Sequence, residues 1–361
     1  MSYAFFFWFY HIVMGLVVAV LVRLLVVRPP TTIRRGTCLC IVGGLAAGLL
    51  SGLNPRFATP GVFLHGGVFL AIACWVISRQ RINGKRRWTL TTVLGILAAL
   101  TLFVGINGLL IEPTALHVKY YSFTTPKITK PIRIAFLADF QADNIGEYER
   151  RTLTLLKEQK ADLILFGGDY IQAPTKEDEI RLFAEFNALY HSLEISAPLG
   201  IYAVQGNLDL GSWIGWRNLF VFEGSEVFKA KHTISLNIDE IRLTLLSVES
   251  SFRPFRRRPS NPQEKYHIMV GHAPCFSLGT PNVDLLLAGH THGGQVRIPG
   301  FGPILTLSPG LPRSWASGLT TLENGANLIV ANGTGMERGH APRIRLFCRP
   351  NFVVVDLLPE E

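Results

Sequence analysis

Two histidines one residue apart, in Ala288-Gly289-His290-Thr291-His292-Gly293-Gly294, close an apolar run from Val283 to Ala288. Imidazole suits borderline divalent cations. In an extended segment both rings project to one side, whereas a loop lets each reach a different ion. Four upstream segments supply partners. Leu137-Ala138-Asp139-Phe140-Gln141 follows the apolar stretch Arg133 to Ala138, and Gly167-Gly168-Asp169 follows Leu163 to Phe166. Gln205-Gly206-Asn207-Leu208-Asp209 follows Ile201 to Val204, and Gly271-His272-Ala273-Pro274 follows His267 to Val270. Each places a carboxylate, amide or imidazole just past an expected strand, where ligands gather in α/β folds. Singly, the plainer readings are an Asx turn for Asp139 or Asp169, a turn cap for Asn207 and a satisfied loop histidine for His272. Jointly, the five segments point to a metal centre.

The ordered series Asp139-x-Gln141, Gly168-Asp169, Gly206-Asn207-x-Asp209, Gly271-His272 and Gly289-His290-x-His292 resembles the calcineurin-like metallophosphoesterase superfamily over roughly residues 130 to 358. The longer run His290-Thr-His-Gly-Gly-Gln295-Val-Arg-Ile-Pro299 looks like its membrane-associated bacterial branch. The resemblance implies a four-layer α/β/β/α sandwich and a two-metal centre whose bridging hydroxide attacks phosphorus in line. Carried over residue by residue, it implies that Asp139, Gln141, Asp169 and His292 hold one ion. Asp169, Asn207, His272 and His290 hold the second, so that Asp169 bridges. Asp169, Asn207 and His290 are thereby the expected catalytic residues.

Two positions depart from the family pattern. Gln141 stands where histidine is usual; an amide oxygen is harder and uncharged, so the first site is expected to be weaker and to favour Mn²⁺ or Mg²⁺ over Zn²⁺. The alternative is that Gln141 binds no metal and the centre holds one ion. Leu208 stands where the family commonly has a catalytic histidine, and Asp209, which would orient it, keeps only a turn to cap. General acid help is typically worth about 10²–10⁴-fold for a poor leaving group and little when the leaving group is already a phosphate. The expected substrate is therefore a phosphoanhydride or activated ester, as a phosphorylated small molecule or a lipid-linked compound. The UDP-2,3-diacylglucosamine pyrophosphatases of lipid A synthesis are one alternative of this kind. The alternative from another class is a degenerate sensory or binding module. Arg256 and Arg257, in Arg253-Pro-Phe-Arg-Arg-Arg-Pro259, are candidate contacts to substrate phosphate or lipid head groups, against the plainer reading of a solvated basic loop.

The elements that must position these groups begin with four long, nearly uncharged runs: Phe5 to Val27, Thr37 to Leu53, Gly61 to Ser78 and Trp88 to Ile111. Each approaches or exceeds the ~20 residues a spanning helix needs. Residues 1–112 hold ten of the 35 Lys and Arg but one acid, Glu112, whereas residues 113–361 hold equal numbers of both signs. The net charge of +9 is thus a membrane-topology signal and argues against a nucleic-acid partner. Basic residues cluster in the first and third loops, which places those loops in the cytoplasm. The expectation is a multi-pass protein of the inner (plasma) membrane, in contact with membrane lipids, with its catalytic domain on the extracytoplasmic side. The lipid A enzymes named above work on the opposite face.

The expected organisation is a four-helix, all-α transmembrane region (1–112), a linker (113–131) and an α/β catalytic domain (132–361). Strands near 133–138, 162–166 and 201–204 alternate with helical periods near 147–160 and 178–193. Short strands follow near 232–238, 241–248, 267–271, 283–288, 328–331 and 351–357, enough for two mixed sheets. Cys275 and Cys348 fall in this half, and nothing in the sequence fixes their distance.

Overall fold

The computed structural model describes residues 66–78, 81–82, 85–86, 88–255, 265–308, 310–337 and 343–360. The first two expected spans lie outside these residues, as do Arg256 and Arg257. The rest divides into two compact units at Ile111 and Glu112. In the first, α1 (Gly66–Ser78) packs on α2 (Trp88–Ile106). Glycine permits the approach: Gly67 is buried and a Cβ there would strike the Leu102 side chain. Helix α2 continues through a π turn, Asn107–Ile111, and a 3-10 turn, Glu112–Thr114. Within its stretch Thr91–Thr114 an 18-residue window has mean hydropathy 2.3 and is only 17% buried. Val93, Leu97, Leu100 and Phe103 stand exposed along it, as on a surface made for an apolar surrounding. Four spans were expected; among the described residues this is the one helix long and apolar enough to cross a bilayer.

The second unit is built on two six-stranded mixed sheets. The first contains β1 (His117–Thr125), β2 (Ile132–Leu137), β3 (Leu163–Phe166), β4 (Ile201–Val204) and β5 (Val227–Ala230). The second contains β6 (Ile234–Ile238), β7 (Ile241–Leu245), β8 (Tyr266–Val270), β9 (Leu285–Ala288), β10 (Gly318–Thr321) and β11 (Asn327–Val330). Strand β12 (Asn351–Pro359) returns to the first sheet and lies between β1 and β2, so its order is β1-β12-β2-β3-β4-β5. The order of the other is β10-β11-β9-β8-β7-β6. The central strands β2, β3 and β4 pair in parallel, as do β7, β8, β9 and β11. Parallel strands covered on both faces read as continuous apolar runs; Leu163–Phe166 and Leu285–Ala288 are buried at every residue.

The facing sides of the sheets close over Ile134, Phe136, Leu243, Ile268, Leu285 and Val353. The outer face of the first sheet is covered by α3 (Glu147–Glu158) and α4 (Lys176–Ser192). Helix α4 is capped by Thr175, which accepts from Asp178 N. Its Leu182, Phe183, Phe186, Leu189 and Tyr190 fall at helical spacing and bury against Phe166 and Phe220. The outer face of the second sheet carries only short helices, Val248–Ser251, Pro274–Gly279 and Arg313–Ala316, with Phe276 and Trp315 packed on it. The fourth layer of the expected sandwich is therefore thin among the described residues.

The segment expected as a linker, 113–131, is largely sheet. Strand β1 pairs with β12 in parallel over nine residues, from His117↔Asn351 to Thr125↔Pro359. Prolines 126 and 131 drew the eye to a linker, whereas the preceding nine residues carry the half-polar face of a strand at the sheet edge. Cys275 and Cys348 are buried free thiols.

Candidate metal centre

Every candidate ligand leaves the carboxyl end of a parallel strand: Asp139 and Gln141 follow β2, Asp169 β3, Asn207 β4, His272 β8, and His290 and His292 β9. The two sheets thus bring these loops to one rim. The backbone there is unusual. Asp139, Gln141, Asp169, His290 and His292 have φ of 50°, 44°, 57°, 67° and 48°. Non-glycine residues in this region are strained by about 1–3 kcal/mol each and persist only where their surroundings enforce them, commonly at functional sites. Gly206 shows the enforcement: a Cβ on it would fall on the Asp169 carboxylate.

The structure brings Asp169, Asn207, His272 and His290 together. Ligand atoms of Asp169, His272 and His290 all lie within 4.8 Å of one another. His272 Nε2 is 3.3 Å from Asp169 Oδ2, 2.9 Å from Asn207 Oδ1 and 3.2 Å from His290 Nδ1. The remaining ring nitrogens face backbone carbonyls: His272 Nδ1 donates to Gly167 O (2.8 Å) and His290 Nε2 to Leu307 O (3.1 Å). A carbonyl only accepts, so each imidazole's proton is committed there, as in metal-binding histidines oriented by their outer neighbours. With both rings neutral, as metal ligation requires, the two inward nitrogens carry lone pairs that face each other and two oxygen acceptors. That concentration of lone pairs fits a cation.

Asp139 is fully buried beside this set. Its Oδ2 accepts from His290 N (2.8 Å), and Oδ1 lies 3.8 Å from His272 Nδ1. Oδ1 accepts no hydrogen bond among the described residues, which again suits a cation. Burial pushes the Asp139 carboxyl up to about 7. Burial alone would lower His272, but the Asp169 carboxylate outweighs it and raises the imidazole to about 9. Burial and the charge of His272 press His290 down to about 4. Without bound metal His272 thus carries a second proton, on the Nε2 that faces Asp169 and Asn207, and a cation binding there displaces it.

Gln141 is buried, and its Nε2 donates to Glu337 Oε2 (3.1 Å) and Gln172 Oε1 (3.2 Å). A carboxylate only accepts, so Glu337 holds the amide nitrogen and turns the amide oxygen the other way. His292 is buried, with its carbonyl accepting from Cys348 Sγ at 3.3 Å; its side chain is not in the tight cluster of Asp169, His272 and His290. Leu208 presents its backbone, whose N donates to Asp169 Oδ1 (2.8 Å).

Four contributors escaped the sequence. Asp209 is more than a turn cap: it accepts from Gly206 N (2.7 Å), Asp169 N (2.8 Å) and Tyr170 N (3.2 Å), tying the β3 and β4 loops together. Phe252 stands edge-on to His290 at 4.8 Å. Arg345 is fully buried and donates to the carbonyls of Asn332 (2.8 Å) and Gly333 (3.3 Å), bracing the loop behind Asp139. Glu337 is the fourth. Of these, only Asp209 lies in a segment whose pattern drew notice.

Comparison with known proteins finds similarity over the same part of the chain. The family model described as Calcineurin-like phosphoesterase matches residues 132–294, which contain all seven candidate ligands. The chain is 27% identical over 297 residues to YkuE of Bacillus subtilis (strain 168), named an uncharacterized metallophosphoesterase; the match covers 76% of this chain and 97% of that protein. It is 26% identical over 245 residues to Phosphodiesterase YaeI of Escherichia coli (strain K12), covering 63% and 83% respectively. A solved structure, purple acid phosphatase PPD1 from yellow lupin (Lupinus luteus) seeds, superposes with a TM-score of 0.35 at 13% identity, over 65% of this chain and 55% of that one. Domain and relatives support a metal-dependent phosphoester hydrolase.

Proposed function

We propose that this calcineurin-like phosphoesterase domain hydrolyses a phosphoanhydride or an activated phosphoester, on a small or lipid-linked substrate, at a two-cation centre beside a membrane. The observation that carries the reading is that His290 Nδ1, Asp169 Oδ2 and Asn207 Oδ1 all lie within 3.3 Å of His272 Nε2, while the outer nitrogen of each ring is committed to a backbone carbonyl. Asp169, Asn207, His272 and His290 would hold one cation; Asp139, Gln141, Asp169 and His292 would hold the other. When bound, the cations supply Lewis acidity toward the phosphoryl oxygens and activate the attacking water. Mn²⁺ or Mg²⁺ suits the oxygen-rich set of Asp139, Gln141, Asp169 and His292 better than Zn²⁺.

The side chains support a division of labour. Asp169, common to both sets, would bridge the cations, and Leu208 N fixes its Oδ1. His290 keeps its one proton on Leu307 O, so it serves as a ligand rather than as a donor to substrate. Leu208 offers the leaving group no proton, which favours leaving groups that need none. The apolar stretch Thr91–Thr114, just ahead of the domain, supports attachment to a membrane. The excess of basic residues before Glu112 supports the extracytoplasmic side for the domain.

The experiment pairs metal content with turnover in the full-length protein and in Asp169→Ala. Wild type should carry up to two Mn²⁺ and cleave a diphosphate diester or a p-nitrophenyl phosphodiester. Asp169→Ala should lose metal and more than ~10²-fold of turnover, since even outer-shell losses at metal sites cost 10–100-fold. Turnover unchanged in Asp169→Ala, or wild type that binds metal without cleaving either probe, overturns the reading. A reporter fused after Glu112 tests the side of the membrane.

A further inference from the structure

Arg297 belongs to the distinctive run His290 to Pro299 but takes no part in the metal centre. Its guanidinium donates to Gly293 O (3.2 Å) and lines a separate cavity of about 390 Å³. His117 and Lys119 of β1 line the same cavity, as does Arg349, just before β12. Buried Asn332 and Asn351 add polar wall. No Asp or Glu lines it. Among the described residues no ion pair engages Lys119, Arg297 or Arg349. The carboxylate of Glu112, close by, accepts from the backbone N–H groups of Phe347 and Cys348 instead. Burial, and then the charge of Arg297, hold the Lys119 amine below its usual range.

Cations kept together in a concavity without a counter-charge repel one another, and a bound anion relieves that cost. Two arginine forks and an ammonium match the several oxygens of a phosphate group better than a single carboxylate. The volume lies within the range of small-ligand pockets, about 300–1,000 Å³. None of the seven candidate metal ligands lines the cavity. Its wall nevertheless backs onto their loops: Cys348 Sγ donates to His292 O, and Asn332 adjoins Gly333, where a Cβ would meet Asp139.

We propose that this cavity is a second, non-catalytic site that binds a phosphate-bearing anion through Lys119, Arg297 and Arg349. His117 follows the last residue of the apolar stretch's π turn, Ile111, by six positions, so two sources share this chemistry: an anionic phospholipid head group and soluble phosphate. The test uses the full chain in nanodiscs and measures acylation of Lys119 by an amine-reactive ester, read by peptide mass spectrometry against exposed Lys160. In phosphatidylcholine discs, inorganic phosphate should slow Lys119 labelling several-fold if the source is soluble. In phosphatidylglycerol discs the same slowing without added phosphate identifies the lipid head group. Either protection should vanish in Arg297→Gln/Arg349→Gln, and weaken in Arg349→Gln alone, whose side chain is exposed. Equal labelling under all conditions overturns the proposal. Protection that survives the double substitution overturns it as well, since the arginines would then hold nothing.

Discussion

Asp209 shows how one carboxylate, bound to no cation itself, fixes the geometry of another. Its two oxygens collect three backbone N–H groups from two loops, including that of Asp169. Asparagine at this position turns an NH₂ toward at least one of those donors. A buried donor left unsatisfied costs about 1–3 kcal/mol, and disturbed outer-shell support at a metal site costs about 10–100-fold in affinity or activity. Asp209→Asn should therefore lower both the melting temperature and the Mn²⁺ affinity, measured by calorimetry and by metal titration; an unchanged metal titration contradicts the role. Leu208 carries a second prediction. Leu208→His should accelerate hydrolysis of alkyl esters by up to about 10²-fold, the low end of general acid assistance. It should leave diphosphate substrates nearly unchanged, and parallel kcat measurements on the two substrate types check the contrast. That Asp139, Gln141 and His292 sit just past strand ends was legible, because each follows an apolar run. Glu337 and Arg345 were not, because their partners lie far away in sequence and no local pattern records them.

At the scale of the element, the site depends on tight junctions between strand and loop. Gly206 is the clearest: the space its missing side chain leaves is filled by Asp169. Gly206→Ala should push that carboxylate aside, and a displacement of about 1 Å at a reacting centre can cost 10²-fold. The expected result is loss of bound metal together with turnover while the far-ultraviolet circular dichroism spectrum is retained; full metal content would count against the argument. The strands that reach the centre were legible as continuous apolar runs, and the ends of β2, β3, β4, β8 and β9 fall within two residues of expectation. Strands β5 and β10 escaped because each is four residues long and half-exposed. Strand β1 escaped because proline and lysine just beyond it imitate a linker.

For the molecule as a whole, pH and stability are linked through a histidine remote from the metal loops. His267 on β8 is buried, with Nε2 2.8 Å from Thr244 Oγ1. Burial lowers its imidazole from 6.5 to about 4. An unfolded chain takes up this proton below about 6.5, whereas the folded chain refuses it until about 4. Stability is therefore lost as pH falls through that window, by on the order of 3 kcal/mol in total. His267→Gln should remove that part of the acid sensitivity; urea midpoints of wild type and variant from pH 7 to 4.5 should converge as pH falls. Parallel slopes would show that His267 is not the cause. The charge balance was legible at this scale too: it separates a basic, apolar front from a formally neutral second part.

The position of β12 between β1 and β2 has a consequence for synthesis on the ribosome. β1 emerges early, but the partner that fills its edge is encoded 234 residues later. At about 5–20 residues per second, β1 waits roughly 10–50 s with unpaired amide and carbonyl groups, an invitation to pair with the wrong chain. Only translation through Pro359 ends that wait. A nascent chain stalled before Asn351 should therefore depend on holdase chaperones, whereas a chain released after Pro359 should escape them.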